Sequence, residues 1–221
     1  MHTVRIWDAP TRVFHWALVG CFAGLIITGK TGGNAMEWHF RLGYLTASLL
    51  LFRLIWGVIG GKWSRFSSFQ LSPRAVTDHL HGRKRVASVP GHNPLGALSI
   101  LAMLMFLLVQ VGTGLITEDI GGETFGPLSG LVSRAAVKLA SGYHKEVGST
   151  LLLVLTALHL LAVTMYLVRK KENLIKPMLT GDKILITPVT PSRDDVRSRA
   201  TATVILILCA ALIMFVVKLG N

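Results

Sequence analysis

Five long apolar runs, near residues 13–30, 40–60, 94–117, 146–168 and 201–219, alternate with polar connections marked by glycine and proline. A membrane-crossing helix needs about 20 predominantly apolar residues, and each run meets that length. The pattern predicts an all-α membrane protein: a four-helix transmembrane bundle plus a fifth C-terminal transmembrane helix. Residues 1–12 read as a short polar entry, with Pro10 pre-set for a first helical turn. The first turnaround, Lys30 to Trp38, is short and carries Thr31-Gly32-Gly33-Asn34, which makes spans one and two antiparallel neighbours. Between spans two and three, Ser72-Pro73 followed by Ala75-Val76-Thr77-Asp78-His79-Leu80 predicts a short surface helix. Pro90, Gly91, His92, Asn93 and Pro94 then punctuate the entry to span three. The segment 118–143 turns weakly amphipathic over 128–140 and is expected to lie along an interface. The stretch 172–200 joins the first four helices to the fifth.

The composition agrees with this reading. The 221 residues are 51% hydrophobic and 15% charged, with a mean hydropathy of +0.55, whereas soluble domains are roughly 25% charged. The formal net charge of +12 would suit a nucleic acid, but its distribution speaks for topology instead. Lys62, Arg65, Arg74, Arg83, Lys84 and Arg85 lie between spans two and three. Arg169, Lys170, Lys171, Lys176, Lys183, Arg193, Arg197 and Arg199 follow span four. The connections on the other side are poor in positive charge, and one carries Glu118, Asp119 and Glu123. Excess Lys and Arg mark the cytoplasmic side. The expectation is therefore a membrane protein with its N-terminus inside and its C-terminus outside, binding lipid and no nucleic acid. Cys21 and Cys209 sit in apolar runs as small packing residues. The first span reads as a retained helix, since no small-residue cleavage site follows it.

Histidine is costly in hydrocarbon unless its ring has a partner. Of eight histidines, His2, His79, His81 and His92 fall in the tail or the connection after span two and read as solvated or interfacial. The other four lie in, or at the mouth of, apolar helices. Alternating topology brings His15 to the depth of His159 near the inner face, and His39 to the depth of His144 near the outer face. Fifteen residues separate His144 from His159, about 22 Å and about 60° of rotation along a regular α-helix. Paired imidazoles on separate helices are what an axially ligated haem iron requires. A zinc site wants three or four ligands in one place, and each layer offers two. No Cys-x-x-Cys-His attachment motif is present, so the expected cofactors are two non-covalently held b-type haems, with His15, His39, His144 and His159 as iron ligands.

Arg53 lies 14 residues after His39 and Lys30 15 residues after His15, which puts Arg53 at the inner level and Lys30 at the outer. Haem carries propionates, and arginine is the side chain best suited to a carboxylate. Arg53 is expected to pair with an inner propionate and Lys30 with an outer one, the alternative for each being a side chain that snorkels to the interface. Glycines at 20, 24, 43, 96, 112, 114 and 148 would permit close approach within the bundle. Phe14, Trp16, Trp38, Tyr44, Trp56 and Trp63 read mostly as an interfacial belt.

The opening Trp7-Asp8-Ala9-Pro10-Thr11-Arg12-Val13-Phe14-His15-Trp16 resembles the start of bacterial cytochrome b561 proteins and of the b-type cytochrome subunits of nickel–iron hydrogenases. His39-x-x-x-Gly43, Phe52-Arg53-x-x-Trp56-Gly57, Gly91-His92-Asn93-Pro94-Leu95-Gly96-Ala97 and Gly112-Thr113-Gly114 are similar to later landmarks of that family. The resemblance covers roughly 1–182. It implies a four-helix core with two b haems ligated at the positions matching His15, His39, His144 and His159, and electron exchange with the quinone pool or a redox partner. The expected division is a dihaem domain over 1–182, a cytoplasmic linker over 183–200 and a fifth transmembrane helix over 201–221. The leading function is electron transfer between quinone and a hydrogenase-like or c-type cytochrome partner. The alternatives are a stand-alone quinone oxidoreductase, for example one acting on superoxide, and a haem-free transporter or scaffold. His79 and His81 are candidates for proton handling.

Overall fold

The structure, a computed structural model, describes residues 1–81, 90–118 and 125–220. The basic run Arg83-Lys84-Arg85 and the acidic Asp119 and Glu123 lie outside the described residues. The chain is predominantly helical, in the order β1 (His2–Arg5), α1 (Ala9–Thr31), α2 (Met36–Ile59), α3 (Pro73–Leu80), α4 (Pro94–Gly114), α5 (Arg134–Gly142), α6 (Ser149–Val168), α7 (Ile175–Thr180), β2 (Asp182–Leu185) and α8 (Val196–Leu219). Among the described residues, five stretches are long and apolar enough to cross a membrane: α1, Gly33–Ile59, α4, Arg134–Val168 and α8. Their outward faces carry large apolar side chains such as Val13, Ile27, Val58, Leu161 and Ile207, each more than 60% exposed.

Local chemistry explains where the helices begin. Asp8 precedes α1 and its carboxylate accepts from the Thr11 amide at 2.9 Å, an N-cap that fills one of the orphan donors of the first turn. Ser72 does the same for α3, accepting from the Ala75 amide with Pro73 in the first turn. Ser133 caps α5 by accepting from the Ala136 amide. Within the segment expected to lie along an interface, 128–140, α5 buries Val137 and Ala140 and continues toward the fourth apolar stretch. The uniform α-helical path assumed between His144 and His159 is also corrected, because Tyr143–Gly148 is wound as a π-helix between α5 and α6.

Two strands were not anticipated. β1 and β2 pair antiparallel, with His2 opposite Leu185 and Arg5 opposite Asp182. Four-residue strands carry little periodicity, and both lie in stretches that read as polar connection. Their inner side joins Val4, Ile6, Trp7 and Leu185 in a small core, against which Trp63, Met178 and Val189 pack. Gly181 makes the turn from α7 into β2 at φ +91°, a left-handed conformation natural to glycine. Its carbonyl accepts from the Ile6 and Trp7 amides at 2.8 and 3.0 Å.

The chain divides into two compact units. One comprises Met1–Trp16, Arg53–Ala102 and Ala157–Val204; the other comprises Ala17–Phe52, Met103–Thr156 and Ile205–Asn221. His15, Arg53, His92 and His159 belong to the first unit, and Lys30, His39 and His144 to the second.

Candidate histidine-paired cofactor sites

In the second unit His39 on α2 and His144 in the π segment face each other, with ring centres 6.2 Å apart and planes at 83°. Each ring is held by its Nδ1 atom. His39 Nδ1 donates to the Leu25 carbonyl at 3.1 Å and lies 3.1 Å from the Thr28 hydroxyl oxygen, itself donating to the Gly24 carbonyl. His144 Nδ1 donates to the Gln110 carbonyl at 2.8 Å. A carbonyl can only accept, so the proton is assigned to Nδ1 in both rings and the Nε2 lone pair is free to bind a metal. Two glycines make room for this seating. A Cβ at Gly114 would meet His144 Cε1 at 2.8 Å, and one at Gly29 would meet His39 Cε1 at 3.1 Å.

Gln110 holds His144 twice, through its own carbonyl and through its side-chain amide, which donates to the His144 carbonyl at 2.8 Å. A π turn shifts the backbone register, and such turns recur at functional sites. Of the glycines singled out from the sequence, a Cβ at Gly24 would meet Leu42, at Gly96 the Asn93 side chain and at Gly148 Gln110 and Tyr143, whereas at Gly20, Gly43 and Gly112 it would enter open space among the described residues. Lys30 ends α1 as an exposed residue, and none of the hydrogen bonds or ion pairs among the described residues involves it.

In the first unit lie His15 on α1 and His159 on α6. His15 stands edge-on to Trp16 at 5.0 Å, and its Nδ1 is buried with no partner among the described residues. Arg53 is 3% exposed and stacks its guanidinium on the Phe66 ring at 4.6 Å, while its Nη1 also lacks a described partner. Gly57 permits that stack, since a Cβ there would fall 2.1 Å from Phe66 Cε2.

Asp8 anchors this unit. It is fully buried, and besides capping α1 it accepts from Trp56 Nε1, from the Gly61 amide at 3.0 Å and from Ser64 Oγ at 2.8 Å. Each of these donors left unsatisfied would cost about 1–3 kcal/mol. The cap thus ties the start of α1, two turns before His15, to the end of α2 that carries Arg53. Trp56 and Phe14 are therefore buried residues of the anchor region, a correction to the interfacial reading, while Trp16 and Trp38 are 43% and 58% exposed as a belt would require.

His92, read from the sequence as solvated or interfacial, is placed differently. Its residue keeps part of its surface, but the Nδ1 is sealed without a described partner. Trp7 covers the ring at 4.4 Å and Phe69 meets it edge-on at 5.2 Å. Burial, followed by the positive charges of Arg53 and Lys183, pushes its pKa down to about 3. The Pro- and Gly-rich context hid this burial, and the only hint was a histidine immediately before a span. His79 Nε2 lies 2.9 Å from the Tyr166 hydroxyl, which also accepts from Asn93 at 2.9 Å. His81 is exposed, its Nδ1 donating to the Thr77 carbonyl at 2.7 Å.

The sequence pattern of the family described as prokaryotic cytochrome b561 matches residues 6–181. A probable Ni/Fe-hydrogenase 1 B-type cytochrome subunit of Escherichia coli (strain K12) is 24% identical over 135 residues, covering 49% of this chain and 57% of that protein. The match thus spans little more than half the length of that relative. Probable Ni/Fe-hydrogenase B-type cytochrome subunits of Rhizobium leguminosarum bv. viciae and Bradyrhizobium diazoefficiens are 24% and 22% identical. Each match covers 82% of this chain, with 89% and 86% of those proteins. No solved structure matches the chain. The family match opens on Ile6 and closes on Gly181, two residues joined by a hydrogen bond. It encloses the Asp8 anchor, both histidine pairs, Arg53 and His92. The chain belongs to the prokaryotic cytochrome b561 family and is a multi-pass membrane cytochrome of the b type.

Proposed function

We propose that this cytochrome holds two haems b, one between His15 and His159 and one between His39 and His144, and passes electrons between the quinone pool and a hydrogenase-like redox partner. The observation that carries the reading is the His39–His144 pair. Imidazoles on opposite sides of one metal, each at about 2 Å, have ring centres roughly 6 Å apart, close to the 6.2 Å found. Both Nδ1 protons are engaged by backbone carbonyls, which fixes the tautomer and ring orientation that a metal ligand needs. In the other unit, the buried Arg53 Nη1, without a partner among the described residues, suits a group bringing carboxylates.

Bound haem supplies a one-electron couple, and the protein sets its ligands, surroundings and exposure. His39 and His144 would hold such a haem through their Nε2 atoms, with Gln110, Leu25 and Thr28 keeping the rings from turning. Arg53 would offer its guanidinium to a propionate, and Lys30 its ammonium to one of the other haem. The excess of Lys and Arg in two connections supports a cytoplasmic N-terminus, with the His15–His159 haem toward that side of the inner membrane and lipid around the exposed apolar faces. Residues 1–182 form the electron-transfer domain, 183–200 the link and 201–221 the fifth crossing. The hydrogenase-like partner is supported by the names of the relatives.

The test is a reduced-minus-oxidised visible spectrum with a haem count on purified protein. His144→Ala is expected to remove one low-spin haem and leave the other, and His15→Ala to remove the complementary one. Survival of both sets of bands in either variant overturns the assignment.

A further inference from the structure

The first unit contains two buried side-chain nitrogens, Arg53 Nη1 and His92 Nδ1, without a hydrogen-bond partner among the described residues. Arg53 and His92 sit at the two ends of one aromatic chain. The Arg53 guanidinium lies on Phe66, Phe66 meets Phe69 at 5.7 Å, and Phe69 meets His92 at 5.2 Å, with Trp7 closing the other face of the imidazole at 4.4 Å. Arg53 Nη1 and His92 Nδ1 are both sealed and unpartnered among the described residues. A buried donor without an acceptor costs about 1–3 kcal/mol, more when charged, so such atoms are kept where something accepts from them.

The nearby carboxylates are already committed. The Asp8 oxygens are taken by Thr11, Trp56, Gly61 and Ser64. Glu172 pairs with Lys183 at 2.9 Å. Among the described residues no carboxylate lies within ion-pair distance of Arg53.

We propose that His92 and Arg53 together clamp the propionates of the haem held by His15 and His159, each donating to a carboxylate from its end of the aromatic chain. The inference rests on the dihaem reading and adds to it a positioning residue that lies outside the membrane-spanning helices. The positive surroundings of His92 support it, since burial and the charges of Arg53 and Lys183 disfavour a proton on the free imidazole and favour an anion beside it. His92 therefore contributes one neutral N–H, and Arg53 contributes the charge. The two donors draw negative charge away from the iron, which favours the reduced state.

The test is a spectroelectrochemical titration of each haem in the full-length protein, comparing His92→Phe with His92→Asn. Phenylalanine fills the aromatic box without a donor, whereas asparagine places an amide N–H near the position of Nδ1. The expected result is a lowered midpoint potential for the His15–His159 haem in His92→Phe, near wild-type behaviour in His92→Asn, and no change at the other haem in either. Loss of that haem in His92→Phe with retention in His92→Asn reads the same way, because only the donor separates the two. Equal behaviour of the two variants, or a shift confined to the haem that His144→Ala removes, overturns the clamp. If His15→Ala leaves both haems in place, the ligand assignment fails first, and that outcome is distinguishable.

Discussion

Gly114 and Gly29 decide whether the facing imidazoles of the second unit can sit where they do. At Gly114 an added Cβ would stand 2.8 Å from His144 Cε1, closer than carbon atoms pack, and the ring is pinned by its bond to the Gln110 carbonyl. At Gly29 the contact with His39 Cε1 would be 3.1 Å, which a shift of a few tenths of an ångström relieves. Gly114→Ala is therefore expected to empty the His39–His144 site of most of its haem, and Gly29→Ala to lower its occupancy only partly. A haem count beside the absorption spectrum checks both, and full occupancy in Gly114→Ala would show that the ring does not need this seat. The histidines themselves were legible because imidazole in an apolar run demands an explanation. His92 was not, since its burial comes from Trp7 and Phe69, residues distant in sequence that no local pattern connects to it.

The π segment Tyr143–Gly148 is the element on which the second unit's pair turns. A run of six residues wound wider than an α-helix needs outside support, and Gln110 gives it by donating to the His144 carbonyl. Gly148 in turn leaves space for that amide, because a Cβ there would fall 2.0 Å from Gln110 Oε1. Gln110→Leu should cost about 1–3 kcal/mol by stranding the carbonyl, and Gly148→Ala should act by pushing the same amide away. Because both variants break one contact, their effects on thermal unfolding should fail to add in the double variant; full additivity would separate the two residues. Apolar runs predicted the helices themselves, but the π winding was hidden, since hydrophobic spacing in Tyr-His-Lys-Glu-Val-Gly is too polar to report a phase. The strands β1 and β2 were hidden for a related reason, being too short to alternate and paired across almost the whole chain.

At the scale of the molecule, that pairing agrees with the hydropathy pattern. His2–Arg5 and Asp182–Leu185 lie side by side, which is what an even number of crossings between them would require. The closure is reinforced by Asp194, just before α8. Its carboxylate accepts from Arg5 Nη1 at 2.5 Å, from the Ala9 amide at 3.0 Å and from Arg199 Nε at 3.0 Å. Burial opposes the charge on Asp194, but the hydrogen bonds from Arg199, Ala9 and Arg5 outweigh it and hold its pKa below the ordinary 3.8. A carboxyl whose pKa is lower folded than unfolded binds its proton less readily in the folded state. Its stabilisation is therefore complete above the ordinary value and is withdrawn as acid takes the pH down through the lowered one. Asp194→Asn, which keeps an acceptor but no charge, should unfold at lower temperature than wild type in detergent at neutral pH. The gap should narrow below about pH 4 as the wild-type carboxylate is protonated. A gap that stays constant into acid would mean that Asp194 serves through shape alone, and that the β1–β2 pairing closes the bundle without help from its charge.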